Sequence, residues 1–227
     1  MKVARPYRFF WPAADDTALD VLRASRGLTE ANGAERSHGR VTAVEGYSRR
    51  TGKPARNGLY CARIFGPTED HSCLCGKFRG ASHDGVVCDT CGVVCGRAEA
   101  RQRLFGHLES PVGLLHPRLR ATVAEVLAWS EDAVLGVLLG TWELRGGEPA
   151  PISDDWRDDA DDDEPRTFER CGSAVLHERL REAEHEAWQS RLAAEGYTLA
   201  DLLITHIPVL PAAEREPRVV TSPDFGD

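Results

Sequence analysis

Cys73-Leu74-Cys75-Gly76 and, with twelve residues between Cys75 and Cys88, Cys88-Asp89-Thr90-Cys91-Gly92 decide how this chain is read, because they place four cysteines in a 19-residue window. Two short loops each offering a pair of thiolates, with enough chain between them to fold back, converge on one tetrahedral ion, and the spacing predicts a zinc ribbon. Gly76 and Gly92 follow the two pairs, where a tight knuckle needs backbone free of a Cβ clash. Four thiolates leave no open coordination position. The expected cofactor is therefore one structural Zn²⁺ ligated by Cys73, Cys75, Cys88 and Cys91, with no catalytic metal.

Working outward, three cysteines remain: Cys61, Cys95 and Cys171. An odd total of seven, with four in metal spacing, fits a reducing compartment better than a disulfide framework. Cys61 reads as a small buried hydrophobe and Cys95 as a spare thiol. His71, His83 and His107 flank the cysteines, but the tetrahedron is complete without them. No stretch approaches the length of a membrane span, and the first residues lack the apolar run of a signal peptide, so a cytoplasmic protein is expected.

The net charge of −8 is segregated along the chain. Between Arg49 and Arg103 ten basic residues face five acidic ones, so the cysteine region can carry a positive face. The candidate nucleic-acid contacts are Lys77, Arg79, Arg101 and Arg103. The acid concentrates in Asp154 to Glu164, a low-complexity run around Trp156 whose self-repulsion predicts a solvated loop over 153–164. No nucleophile, base and orienting group form a recognisable catalytic set, no phosphate-cradling glycine loop is present, and no small-molecule substrate is identified.

Apolar periodicity predicts a helix over Asp16 to Arg26, with Leu19, Val21 and Leu22 inward and Gly27 ending it. Val41 to Pro67 reads as turns and extended chain. Leu119, Val123, Val126 and Leu127 mark a second helix, and Ser130 caps a third that carries Val134, Val137, Leu138 and Leu139 and stops at Gly140. Ser173 is expected to cap one long helix to about Ala194, with Leu176, Leu180, Ala183, Ala187 and Leu192 along one face and Gly196 at its end. Leu202 to Ile207, then Pro208-Val209-Leu210-Pro211, reads as a short buried strand or an extended segment broken by prolines.

The order of these pieces resembles a known family. Gly58-Leu59-Tyr60-Cys61-Ala62-Arg63-Ile64-Phe65-Gly66-Pro67 ahead of the cysteines, with Tyr47 to Pro54 upstream and Gly106 to Pro111 downstream, is similar to the N-terminal part of the largest (β′) subunit of bacterial RNA polymerase. Gly172 to Leu176 looks like the start of that family's clamp helices, Ile207 to Pro211 like the segment before its lid, and Val220 to Phe225 like the lid. The resemblance implies an α+β fold: a small four-cysteine zinc ribbon joined to a mostly helical, partial RNA-polymerase-clamp-like domain. It divides the chain into an N-terminal extension (1–40), a β′-like zinc-ribbon region (41–110) and a clamp-like helical region (111–227) that holds the acidic loop and a lid-like tail.

Implied partners are RNA polymerase subunits, with DNA or RNA as a second contact and no membrane. The chain stops before the position of the family's magnesium-binding aspartates, so it is not expected to polymerise alone; Asp224-Phe225-Gly226-Asp227 offers two carboxylates, not three. A single helix from Ser173 would also shorten the hairpin that docks sigma in the family. Gly80, Ala81, Ser82 and Asp84 thin the basic loop around Lys77 and Arg79, which weakens phosphate contact. Three roles follow: a zinc-dependent binding module in transcription, a non-catalytic piece of a split β′ whose partner chain supplies the aspartates, or a zinc-stabilised interaction scaffold outside transcription.

Overall fold

The computed structural model describes residues 18–29, 36–152 and 171–215. The acidic run with Trp156, the lid-like tail and the first seventeen residues lie outside the described residues. Helices and small antiparallel pairings coexist, giving an α+β chain that divides into two compact units. The division does not follow chain order: among the described residues, one unit holds the chain between Leu28 and Glu109 and between Pro208 and Arg215, the other the chain between Ser110 and Ile207 together with the helix α1 (Ala18–Gly27). Strands β1 (Gly106–Leu115) and β4 (Leu203–Val209) pair with each other, and the boundary falls within both.

The first unit is mostly turns. Short bridges substitute for long strands, joining Tyr47 to Pro54, Arg40 to His107 and Val87 to Val94. Apart from the four paired cysteines, an apolar cluster among its described residues surrounds Phe65, fully buried at the end of the single-turn helix α2 (Ala62–Phe65), with Val41, Cys61, Ile64, Val209 and Ala212. Arg215 closes that cluster. Its guanidinium lies 4.9 Å from the Tyr60 ring centroid and 4.8 Å from that of Phe65, and it donates to the Leu210 carbonyl at 2.9 Å, while the Tyr60 hydroxyl donates to the Arg215 carbonyl at 3.0 Å. Cation–π contact and satisfied carbonyls thus tie residues far apart in sequence to one small core.

The second unit is built on helix packing. Helix α1 buries Leu19, Val21 and Leu22, α3 (Arg120–Leu127) buries Val123 and Val126, and α4 (Glu131–Leu139) buries Val134 and Val137. Ser130 caps α4, its hydroxyl accepting from the Ala133 N–H at 3.1 Å, and Gly140 ends it at φ +73°. Gly136 has a packing reason inside α4: a Cβ there would fall 2.2 Å from Cδ1 of Trp142. Trp142 begins the hairpin of β2 (Trp142–Arg145) and β3 (Glu148–Pro151), joined by Gly146-Gly147, both at positive φ. That two-residue turn is the form favoured between antiparallel strands.

One expected helix is two. α5 runs Ser173–Glu182, the chain turns extended at Ala183 (φ −65°, ψ 136°), and α6 runs Glu186–Ala193. Side chains stabilise the break. The Gln189 amide donates to the Ala183 carbonyl at 3.1 Å, and His185 Nδ1 accepts from the Trp188 N–H at 3.4 Å as the N-cap of α6. Leu176, Leu180 and Leu192 are fully buried as the stripe required, but Ala187 is exposed. Ser173 is not a cap either: it is the first helical residue after Gly172, and its hydroxyl donates to the Gly113 carbonyl. Among the described residues no helix is long and apolar enough to cross a membrane.

Candidate metal centre

Two glycine-closed turns position the four thiols. In the first, the Gly76 N–H donates to the Cys73 carbonyl at 3.1 Å with Gly76 at φ +84°, and the Cys73 N–H donates back to the Phe78 carbonyl at 3.0 Å. In the second, the Gly92 N–H donates to the Cys88 carbonyl at 2.7 Å with Gly92 at φ +70°, and the Cys88 N–H donates to the Val93 carbonyl at 2.9 Å. Each turn needs a left-handed residue after its cysteine pair, and glycine takes that conformation without steric cost.

The turns face one another. The Sγ atoms of Cys73, Cys75, Cys88 and Cys91 all lie within 4.8 Å of one another, with Cys73–Cys75 at 3.5 Å and Cys75–Cys88 at 3.6 Å. None is bonded to another. A tetrahedron of sulfurs about 2.3 Å from a central ion has edges of about 3.8 Å, so the donor set fits a four-coordinate thiophilic metal ion. Cys73 and Cys88 are buried, Cys91 is half-buried and Cys75 reaches the surface.

The electrostatics favour thiolates unevenly. Burial opposes ionisation of Cys73, but the Phe78 N–H at 3.2 Å from its sulfur, the thiols of Cys75 and Cys88, and the Gly76 N–H overcome it and bring the thiol down to about 6. At Cys75 the Lys77 N–H favours the thiolate, yet the neighbouring Cys73, Cys88 and Cys91, with burial, push it up to about 12. Four sulfurs this close cannot all be anionic without a cation among them. A bound metal ion would supply that cation.

Cys95 lies in the same packed cluster, fully buried with Ala62, Cys73, Cys88 and Val93. Burial first, then the adjacent Cys73, Cys88 and Cys91, push its thiol up, so it is protonated beside the ligand set. Cys61 belongs to the Phe65 cluster, and Cys171 is half-buried. The flanking histidines have other partners: His71 Nδ1 is 2.8 Å from Asp84, His83 Nδ1 is 3.1 Å from the Arg79 carbonyl, and His107 Nδ1 is 2.7 Å from the Ser37 hydroxyl. None joins the converging group among the described residues.

The four expected phosphate contacts have unlike surroundings. Lys77 is held by Asp89, with Nζ 2.8 and 2.7 Å from its two carboxylate oxygens; the pairing raises the lysine and lowers the acid. Arg79 is exposed, its guanidinium beside Gly76. Arg101 does not face solvent: only 7% exposed, it donates to the carbonyls of Tyr60 at 3.3 Å and Gly66 at 3.1 Å. Satisfying two carbonyls is a structural task that leaves the guanidinium turned inward. Arg103 is exposed. Two cations that the sequence did not single out also reach the turns: Lys53, whose Nζ donates to the Leu74 carbonyl at 2.9 Å, and Arg63, whose Nε lies 2.8 Å from where a Cβ on Gly92 would be. For Arg63 the signal available was the glycine after the second cysteine pair, which leaves room for a side chain from elsewhere.

The site therefore defines a protein with four convergent thiols, a set able to hold a metal ion, carried on paired glycine turns. Known proteins narrow the class: the chain is 46% identical over 80 residues to the DNA-directed RNA polymerase subunit β′ of Aquifex pyrophilus, 52% over 93 residues to that of Koribacter versatilis, and 54% over 78 residues to that of Chloroflexus aggregans. These stretches cover 35%, 41% and 34% of this chain but only 5%, 7% and 5% of the relatives, so the chain spans a small fraction of the length of the proteins it matches. That segment is homologous to the RNA polymerase β′ subunit. No protein-family model matches the chain.

Proposed function

We propose that this protein is a zinc-binding, β′-like module that acts in DNA-templated transcription by docking on RNA polymerase subunits, with DNA or RNA as a second, weaker contact. The observation that carries this reading is the coincidence of 45–54% identity to β′ subunits with four convergent thiols on glycine turns. An all-sulfur tetrahedral set favours zinc or an iron–sulfur centre, and a single ion closed by four thiolates suits a structural Zn²⁺. On this reading the turns of Cys73–Cys95 are a zinc ribbon, and the helices beyond Ser110 are a partial clamp-like domain. Arg79 and Arg103, which are exposed, are the nucleic-acid contacts best placed of the four, with Lys77 weakened by Asp89.

The test is co-purification. Full chain expressed with a core RNA polymerase is expected to carry close to one zinc per chain, to co-purify with polymerase subunits, and to bind duplex or single-stranded nucleic acid only at low salt. A chain that holds no zinc and captures neither polymerase nor nucleic acid overturns the proposal. The same identity to β′ also favours a reading in which the chain completes a split polymerase; nucleotide incorporation that depends on adding this chain to a partner bearing the magnesium-binding aspartates would select it.

A further inference from the structure

Four thiolates around a divalent ion leave a net charge of −2, which positive charge close by offsets. Backbone N–H groups supply part of this, as at Cys73. Two arginines cover the turns themselves. Arg63, on α2, lies across the second: a Cβ at Gly92 would be 2.8 Å from its Nε and 3.4 Å from its Cζ. Arg79 lies across the first, with Nη2 3.3 Å and Cζ 3.9 Å from the corresponding point at Gly76.

The arrangement has a common logic although the two arginines come from different segments. Each guanidinium lies against the glycine directly after a cysteine pair, closely at Gly92 and in near-ordinary contact at Gly76. Neither Arg63 nor Arg79 has an ion-pair partner among the described residues, whereas Lys77 in the same loop is neutralised by Asp89. The segment bearing Arg63 is fixed to the centre, because Ala62 is buried against Cys73, Cys88, Val93 and Cys95.

We infer that Arg63 and Arg79 are counter-ions of the metal centre, one per turn, that slow metal loss and shield the thiolates from electrophiles. The inference rests on the zinc reading above. They are positioning residues and do not ligate the ion.

The test uses the zinc-loaded full chain with Arg63→Gln, Arg79→Gln, the double variant, and the matching lysine substitutions. Zinc transfer to excess chromogenic chelator and alkylation by N-ethylmaleimide are followed. The double variant is expected to lose zinc on the order of fivefold faster, the size of effect for a pair of exposed charges, with alkylation accelerated in parallel. Lysine should restore most of the protection, and the difference should shrink as salt rises from about 0.05 M to about 1 M. A role in packing alone would show neither rescue nor salt dependence. Wild-type release rates in the double variant overturn the inference while leaving the zinc reading intact, as does unchanged release accompanied by lost nucleic-acid retention, which would assign both arginines to an external anion. A wild-type chain that carries no zinc overturns the zinc reading and this inference together.

Discussion

Around the cysteines of the first unit, three of the five buried cluster members are thiols, Cys73, Cys88 and Cys95, with Ala62 and Val93 the only hydrocarbon side chains among them. In the second unit the buried cluster is mostly leucine and valine drawn from α1, α3, α4, α5 and α6 and from the stretch Leu199–Ile204, with Trp129, Trp142 and Trp188 packed against it. One region offers little apolar surface around its turns, and the other is packed with it. On the zinc reading, the first is expected to depend on ligand chemistry for its order and the second on close packing.

The sharpest way to break that comparison is to remove the metal ligand set. Cys88→Ser, or exhaustive chelation, should cost the cysteine region on the order of 10 kcal/mol and abolish its order. Hydrogen exchange on peptides spanning residues 73–95 should become fast, while peptides from α3 and α4 keep their protection. Loss of protection in both units at once would show that their stabilities are not separate. Conversely, Leu176→Ala opens a cavity at a fully buried position of α5 and should destabilise the helical unit by about 2–5 kcal/mol in denaturant titration. Metal content should not change.

A smaller effect separates backbone strain from contact. Gly92 and Gly196 have nearly the same conformation, φ +70° and +71°, one in each unit. Alanine at either carries the left-handed penalty, about 1–2 kcal/mol. At Gly196 the nearest atom to the new Cβ is Arg26 Nη1 at 3.8 Å, ordinary contact, but at Gly92 it is Arg63 Nε at 2.8 Å. Gly92→Ala should therefore lose more stability than Gly196→Ala and should also speed metal release by displacing the guanidinium. Equal losses and unchanged release would remove Arg63 from the account of the site.

What the sequence disclosed follows the same division. The cysteine pairs and their glycines announce the turns because the constraint is local, a ligand spacing plus a positive φ. Ser130 and Gly140 bound α4 for the same reason: a cap and a stop act on their own helix. The break at Ala183 was hidden, since Ala183-Glu184-His185 contains no breaking residue; Gln189 and His185 stabilise the break through contacts that exist only once the chain has turned. Arg101 and Arg103 look alike in sequence, and only the carbonyls of Tyr60 and Gly66, far upstream, distinguish the inward one. The β2–β3 hairpin had a readable sign in Gly146-Gly147 that a helical reading of the region passed over. The pairing of β1 with β4 had none, because it joins segments separated by most of the helical unit.

The least of the expected effects probes the packed unit through protonation. His116 is 4% exposed and caps the short turn Pro117–Leu119, its Nδ1 accepting from the Arg118 N–H at 3.2 Å. Burial, and secondarily the Arg118 charge, hold its pKa below the ordinary 6.5. A folded-state value lower than the unfolded one means that unfolding takes up a proton, so this contribution to stability is complete above about pH 6.5 and is lost as the pH falls through and below that value. Protonation also removes the acceptor on which the cap depends. His116→Asn keeps a side-chain oxygen for the cap and abolishes the titration. Between about pH 7 and about pH 5 the denaturation midpoint of the helical unit should fall less steeply in this variant than in the wild type, and equal slopes would show that His116 is not the proton acceptor. Metal retention at neutral pH should be the same in both proteins, because the packed unit is stabilised without the thiolates.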